Sequence, residues 1–170
     1  MELKKDYSLA PQLESLELKW ISKSRIFGQA IEDWVIENYT CECLSKYKTQ
    51  KVNSKAIDAI CYSCGNKIQI KGSKNIFKPN KYNELKIMGA EYKTTLNSIR
   101  EDNWDLILVS YSKEQKYINQ IMKIKSDQIT EECVIARNPL KETARRAGWQ
   151  GCYLNFKYNA VEVLYDNSLS

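Results

Sequence analysis

The chain has 170 residues and an ordinary apolar share of 43%, enough for one sizeable core and, by length, one domain. Its net charge of +5 is modest, and it contains no histidine. That absence excludes Ser-His-Asp and Cys-His catalysis, Cys₂His₂ zinc sites and nucleases with a histidine base or ligand, so any catalysis must rest on carboxylates, amides, lysine and metal.

The first stretch, MELKKDYSLAPQLESLELKW, lacks the apolar h-region of a secretory signal, and no segment is long and apolar enough to span a bilayer. Residues 1–23 read as an N-terminal extension, with a strand or turn around LELKWI, and 24–170 read as a single domain. From Ser24 to Tyr39, the residues Phe27, Ala30, Ile31, Trp34 and Val35 recur at helical spacing and predict a helix with one buried face. Segment 44–54 is polar and basic and reads as a loop. Ala56–Cys61 and Lys67–Gly72 predict two strands around the tight turn Tyr62-Ser63-Cys64-Gly65-Asn66. Segment 73–89, with Pro79, asparagines and lysines, reads as a long loop. Ala90–Asp102 predicts a helix with Tyr92, Leu96 and Ile99 on one face. Residues 104–111, WDLILVSY, are almost continuously apolar and predict a central strand. A further strand is predicted over Tyr117–Lys125, a polar basic segment from Pro139 to Gly151, and closing strands over Cys152–Phe156 and Ala160–Tyr165. This order predicts an α/β domain with a mixed central sheet flanked by helices.

Six cysteines lie in a chain without an export signal, so they are expected to stay reduced. Cys41-x-Cys43 and Cys61-x-x-Cys64 offer four thiolates in two close pairs, a donor set that suits tetrahedral zinc. The second pair sits on a hairpin turn, where Gly65 can supply a positive φ. All four coordination positions would be filled by protein, so this zinc would be structural. Cys133 and Cys152 stand alone and read as core residues, as do Trp34 and Trp104.

Asp58 precedes the second cysteine pair, and Gln69 and Lys71 follow it on the returning strand. Residues two apart on a strand share a face, so Gln69 and Lys71 point together, and the hairpin brings them back beside Asp58. A carboxylate, an amide oxygen and an ammonium at one point suit phosphodiester hydrolysis. Oxygen ligands from Asp58 and Gln69 hold Mg²⁺, and the lysine orients or deprotonates water and stabilises negative charge. From Lys46 to Lys86 there are ten lysines, Lys74 among them, against the two acids Asp58 and Glu84. A basic block of this kind is a footprint for a polyanion, although lysine-rich faces are often simply solvated. Glu32 and Asp33 lie on the first predicted helix, and most acids on helices are simply solvated.

Asp-x₁₀-Gln-x-Lys across a hairpin resembles the PD-(D/E)xK nuclease core, with Gln69 where that superfamily usually carries an acid. SRIFGQAIEDWVIENYTCEC, the Cys-x-x-Cys hairpin, Gly89-Ala90 and NPLKETARRAGWQGC at 138–152 together resemble the catalytic domain of the DpnI-type, or dam-replacing, restriction endonucleases. The resemblance spans roughly Ser24 to Asp166. It implies a PD-(D/E)xK core with a Cys₄ zinc knuckle at the catalytic hairpin, zinc on Cys41, Cys43, Cys61 and Cys64, and a Mg²⁺-dependent nuclease motif on Asp58, Gln69 and Lys71. It also implies a type II enzyme of the prokaryotic cytoplasm that cuts double-stranded DNA at GATC-class sites, with adenine methylation as a determinant. Trp149 would read a methylated adenine, with Arg145, Arg146 and Lys74 as groove or phosphate contacts. Nucleases that the chain resembles sometimes place an extra metal-linked acid on the first helix, where Glu32 and Asp33 lie. A homodimer and a cognate DNA methyltransferase are the protein partners implied. The chain departs from the family pattern at Gln69, which replaces a glutamate, and in ending where the type member continues into a winged-helix domain. Gln69 keeps an alternative open, in which a catalytically weakened, zinc-stapled module only binds DNA.

Overall fold

The computed structural model describes residues 5–19, 22–23, 25–50 and 56–168. Among the described residues, nine strands and three α-helices form three layers. The central layer is a six-stranded sheet in the order β1-β2-β3-β5-β6-β9, comprising Tyr47–Thr49, Ala59–Cys61, Lys67–Ser73, Trp104–Ser112, Tyr117–Ile124 and Glu162–Asp166. Only β3 and β5 run parallel, which makes the sheet mixed, as the α/β reading expects. The β3–β5 crossover carries β4 (Glu84–Glu91) and α3 (Tyr92–Glu101). β4 pairs with β8 (Gly151–Lys157), and β8 with β7 (Val134–Ala136), in a second, three-stranded sheet.

Strand β5 explains why the layers stack. Its apolar run leaves no polar face, so it must be covered on both sides. Ile107 and Val109 join one core with Ala30, Ile31, Trp34 and Val35 of α2 (Ile26–Asn38). Leu106 and Leu108 join a second core with Leu85 and Ile87 of β4 and Leu154 and Phe156 of β8. Trp34 and Trp104 are core residues at 1% and 2% exposure, and Cys133 and Cys152 are buried as expected.

Three segments differ from the reading above. Residues Ala10–Glu17 form helix α1, entered through Pro11 and Ser8, whose Oγ accepts from the Ala10 amide. Leu9, Leu13 and Leu16 pack into the α2 core, so the described part of the N-terminal segment contributes to that core; Trp20 and Ile21 of the expected strand or turn lie outside the described residues. Within the expected loop 44–54, Tyr47–Thr49 is an edge strand with Tyr47 buried. Within the expected loop 73–89, the loop closes at Asn83 and β4 begins. Leu85 and Ile87 face inward and Lys86 and Met88 outward, a period-two pattern masked by the lysine and asparagine run before it.

No helix among the described residues is long and apolar enough to cross a membrane. Truncating Leu108, fully buried in the second core, to alanine is expected to cost about 2–5 kcal/mol in chemical denaturation. Leu164→Ala, on the exposed face of the edge strand β9, is expected to change stability by no more than about 0.5 kcal/mol.

Candidate active site and metal centre

The ladder between β2 and β3 ends at the pair Ala59↔Ile68. One residue earlier the two chains are diverging, and Asp58 fills the gap. Its amide donates to the Ile68 carbonyl at 2.9 Å, and its carboxylate Oδ2 accepts from the Ile70 amide at 2.6 Å. Asp58 therefore lies just before β2 rather than inside a strand over Ala56–Cys61. Its side chain takes the place of a backbone acceptor at the fork.

Gln69 and Lys71 share one face of β3, in register with Leu106 and Leu108 of β5. Gln69 is nearly buried and Lys71 half-buried. The sites of Asp58 and Lys71 are coupled electrostatically, and a third group joins them. α2 lies so close to β3 that a β-carbon on Gly72 would come within 2.6 Å of Ile31 Cδ1. The next residue of α2, Glu32, feels the charges of both Asp58 and Lys71. Burial, reinforced by the charges of Asp58 and Asp33 and opposed by Lys71, pushes Glu32 up to about 7. Burial also raises Asp58, against the Ile70 amide and Lys71. It lowers Lys71, against Asp58, Cys152 and Glu32. Each of the three groups is thus pushed by burial toward its neutral form. Asp33, the neighbouring acid, is hydrogen-bonded by Gln29.

Lys71 opens onto a cleft of about 810 Å³ lined also by Ser73, Lys74, Lys78, Lys86, Leu108 and Tyr111. Four lysines and no carboxylate line it. Its outer wall, the loop after β3, is tied down by buried polar groups. Gln120 accepts from the Phe77 amide at 2.8 Å and donates to its carbonyl, and the Ser110 hydroxyl donates to the Asn75 carbonyl at 3.0 Å. Asp58 and Gln69 are not among its lining residues. Lys78 and Lys86 belong to the lysine block of the sequence but were not separable there from solvated lysines.

The four cysteines converge. Their sulfurs lie within 4.8 Å of one another, with Cys41–Cys64 at 3.5 Å and Cys43–Cys61 at 3.4 Å. A tetrahedral ion with metal–sulfur bonds of about 2.3 Å needs sulfurs about 3.8 Å apart, so the set fits such an ion. Both knuckles use a left-handed residue just after their second cysteine: Leu44 at φ 69° and Gly65 at φ 73°. The Gly65 amide donates to the Cys61 carbonyl and the Leu44 amide to the Cys41 carbonyl. Burial opposes ionisation of Cys61, but the backbone amides of Cys64 and Ser63 outweigh it and lower that thiol to about 6. Glu42, between the first two cysteines, pairs with the buried Lys123 at 3.1 Å, and Lys123 also faces Asp105. Asp105 in turn accepts from Asn66 of the second knuckle. The knuckle is thereby fastened to β5 and β6.

The Arg-Trp segment is a turn-rich loop between β7 and β8, closed on itself by Leu140 N to Trp149 O at 2.8 Å and Gly148 N to Leu140 O at 3.0 Å. Arg145 and Arg146 are exposed, and Arg146 lies over the half-buried Trp149 ring at 4.7 Å. A β-carbon on Gly151 would come within 2.9 Å of that ring, so Gly151 makes room for Trp149. The loop does not line the cleft, and it runs into β8 at Gly151.

A family profile described as DpnI, the Dam-replacing family, matches residues 10–161. The chain belongs to the Dam-replacing (DpnI) family. This is a restriction endonuclease family, and the match covers both cysteine pairs, the Asp58 fork and the Arg-Trp loop.

Two measurements check this geometry. Metal analysis of the purified protein is expected to find one tightly held ion per chain, lost in Cys61→Ser with a fall of several degrees in Tm and retained in Cys133→Ser. Glu32 ionises near 4.5 in the unfolded chain and near 7 in the folded one. Between those values the folded state holds the extra proton, so its stability falls as pH rises from about 4.5 through about 7. Without added divalent cation, Glu32→Gln is expected to raise Tm at pH 8 and leave it nearly unchanged at pH 4.5.

Proposed function

We propose that this protein is a Mg²⁺-dependent type II restriction endonuclease that hydrolyses double-stranded DNA at a short specific site. The observation that carries this reading is a cleft lined by lysines alone among charged residues, one of them Lys71, which is coupled electrostatically to Asp58 and Glu32. Asp58, Gln69 and Lys71 take the positions of a PD-(D/E)xK motif. Asp58 and Gln69 would hold Mg²⁺ through oxygen, the donor type that this ion selects. Gln69 lacks the charge usual at its position, and Glu32 on α2 supplies a second carboxylate beside Asp58. When bound, the ion acidifies a water and neutralises charge on the phosphate. Lys71, with its ammonium weakened by burial, holds the attacking water and faces the charge that develops on the phosphate. Lys74 and its neighbours in the cleft hold the strand.

Zinc on Cys41, Cys43, Cys61 and Cys64 is structural in this reading, since no ligand position remains for substrate. The target is a GATC-class site, with adenine methylation read by Trp149 and with Arg145 and Arg146 on the groove or phosphates. Arginine suits this through its paired donors, and the exposure of both side chains leaves them available. The reading implies a prokaryotic cytoplasmic setting. It implies cutting of both strands by a homodimer or by successive nicks, and a cognate methyltransferase if methylation protects rather than directs.

A second reading rests on Gln69, whose amide binds a cation less strongly than a carboxylate would. The protein would then bind DNA without cutting it.

Incubation with Mg²⁺ and plasmid, adenine-methylated or unmethylated, separates the two. Discrete fragments from one plasmid and not the other are expected. Asp58→Ala and Lys71→Ala are each expected to slow cutting by at least about 10²–10³-fold, with the Cys₄ metal retained. Gel shift without cleavage would overturn the nuclease reading in favour of the second.

A further inference from the structure

The three-stranded sheet has an outer face that the cleft and the Arg-Trp loop leave unexplained. Register places Met88, Tyr153 and Ile135 side by side across β4, β8 and β7. Their sequence neighbours Ile87, Leu154 and Cys152 are buried, while Met88 is 61% and Ile135 40% exposed. An antiparallel sheet with one solvated face ordinarily shows polar residues there, yet this row is apolar. Two cations border it. Lys86 Nζ lies 4.4 Å and the Arg137 guanidinium 5.3 Å from the Tyr153 ring centre. The acid aligned with them on β4, Glu84, is already met by Asn155 and Lys157.

The face is continuous with both neighbouring features. Lys86 and Met88 also line the lysine-rich cleft. Arg137 opens the Arg-Trp loop, its amide donating to the Gly151 carbonyl and its carbonyl accepting from Gln150. We propose that this face is a docking platform for the duplex beside the cleavage point. Lys86 and Arg137 contact phosphates there, and the Met88–Tyr153–Ile135 row lies against the sugars between them. Charge complementarity and continuity with the cleft favour DNA over a protein partner. The proposal rests on the nuclease reading only for the identity of the polyanion.

The test is fluorescence anisotropy of a labelled duplex of about 20 base pairs with the full-length protein, in Ca²⁺ so that DNA stays intact. Affinity is followed between about 50 and 200 mM salt, because each phosphate contact contributes about 0.9 to the slope of log K against log salt. Lys86→Gln is expected to lower the slope by about 1, and Lys86→Gln with Arg137→Gln by about 2, while Lys86→Arg and Lys19→Gln, on the C-terminal side of α1, keep it. Lys86 also lines the cleft and Arg137 does not, so the step from the single to the double variant decides the platform, with Arg137→Lys as the control that keeps the charge. A double variant whose slope is no lower than that of Lys86→Gln would overturn the platform and leave the face to a protein partner. A further fall in slope at that step, in a protein that does not cut DNA in Mg²⁺, would support the platform and overturn the nuclease reading. Wild-type protein that fails to bind duplex at all would overturn both.

Discussion

The bond from the Ile70 amide to the Asp58 carboxylate is the constraint on which the site depends. Two neighbouring strands must separate somewhere if a substrate is to reach between them, and separation strands backbone donors. A buried amide without a partner costs about 1–3 kcal/mol. Here a carboxylate takes the donor, so the sheet opens without that penalty and an acid is fixed at the opening. The same bond opposes the rise in Asp58's pKa that burial imposes. One interaction thus shapes the fork and favours the ionised form of its acid.

The layers on either side hold the fork in place. On one side α2 presses on β3 where Gly72 has no side chain, and Ile31 fills that space. On the other, the short hairpin between β2 and β3 carries half of the cysteine cluster, and Glu42 and Asn66 fasten that cluster to Lys123 and Asp105. A metal ion there would fix the hairpin from outside the site, so its contribution to any reaction is rigidity. The buried charges draw on the same logic. Glu32, Asp58 and Lys71 are each displaced toward neutrality, an arrangement that costs stability and that a divalent cation with a phosphate would offset.

Much of this was legible in the sequence. The α2 spacing, the unbroken apolar run of β5 and the Cys-x-x-Cys turn with Gly65 are local signals, and local physics decides them. The family was legible too, because a stretch such as PLKETARRAGWQGC has no generic structural explanation. Helix α1 was missed because its eight residues carry a weak apolar stripe, and its docking onto α2 makes it a helix. β4 was missed because its alternation is short and follows a lysine-asparagine loop. Glu32 could be singled out only loosely, since its proximity to Asp58 depends on how closely α2 packs on Gly72, a distance no spacing encodes. The cysteines illustrate the converse: two pairs within a span of 24 residues were enough to predict their convergence.

The central claim is that the charge absent at Gln69 is supplied by Glu32, so that the fork is a working cation site. The most direct test is the rate of plasmid cleavage by Glu32→Gln across a Mg²⁺ titration, beside the wild type. The account predicts a protein that is intact and retains its Cys₄ metal, yet cuts far more slowly and needs much more Mg²⁺ to reach its maximum. Cleavage at the wild-type rate with the wild-type Mg²⁺ requirement would contradict it.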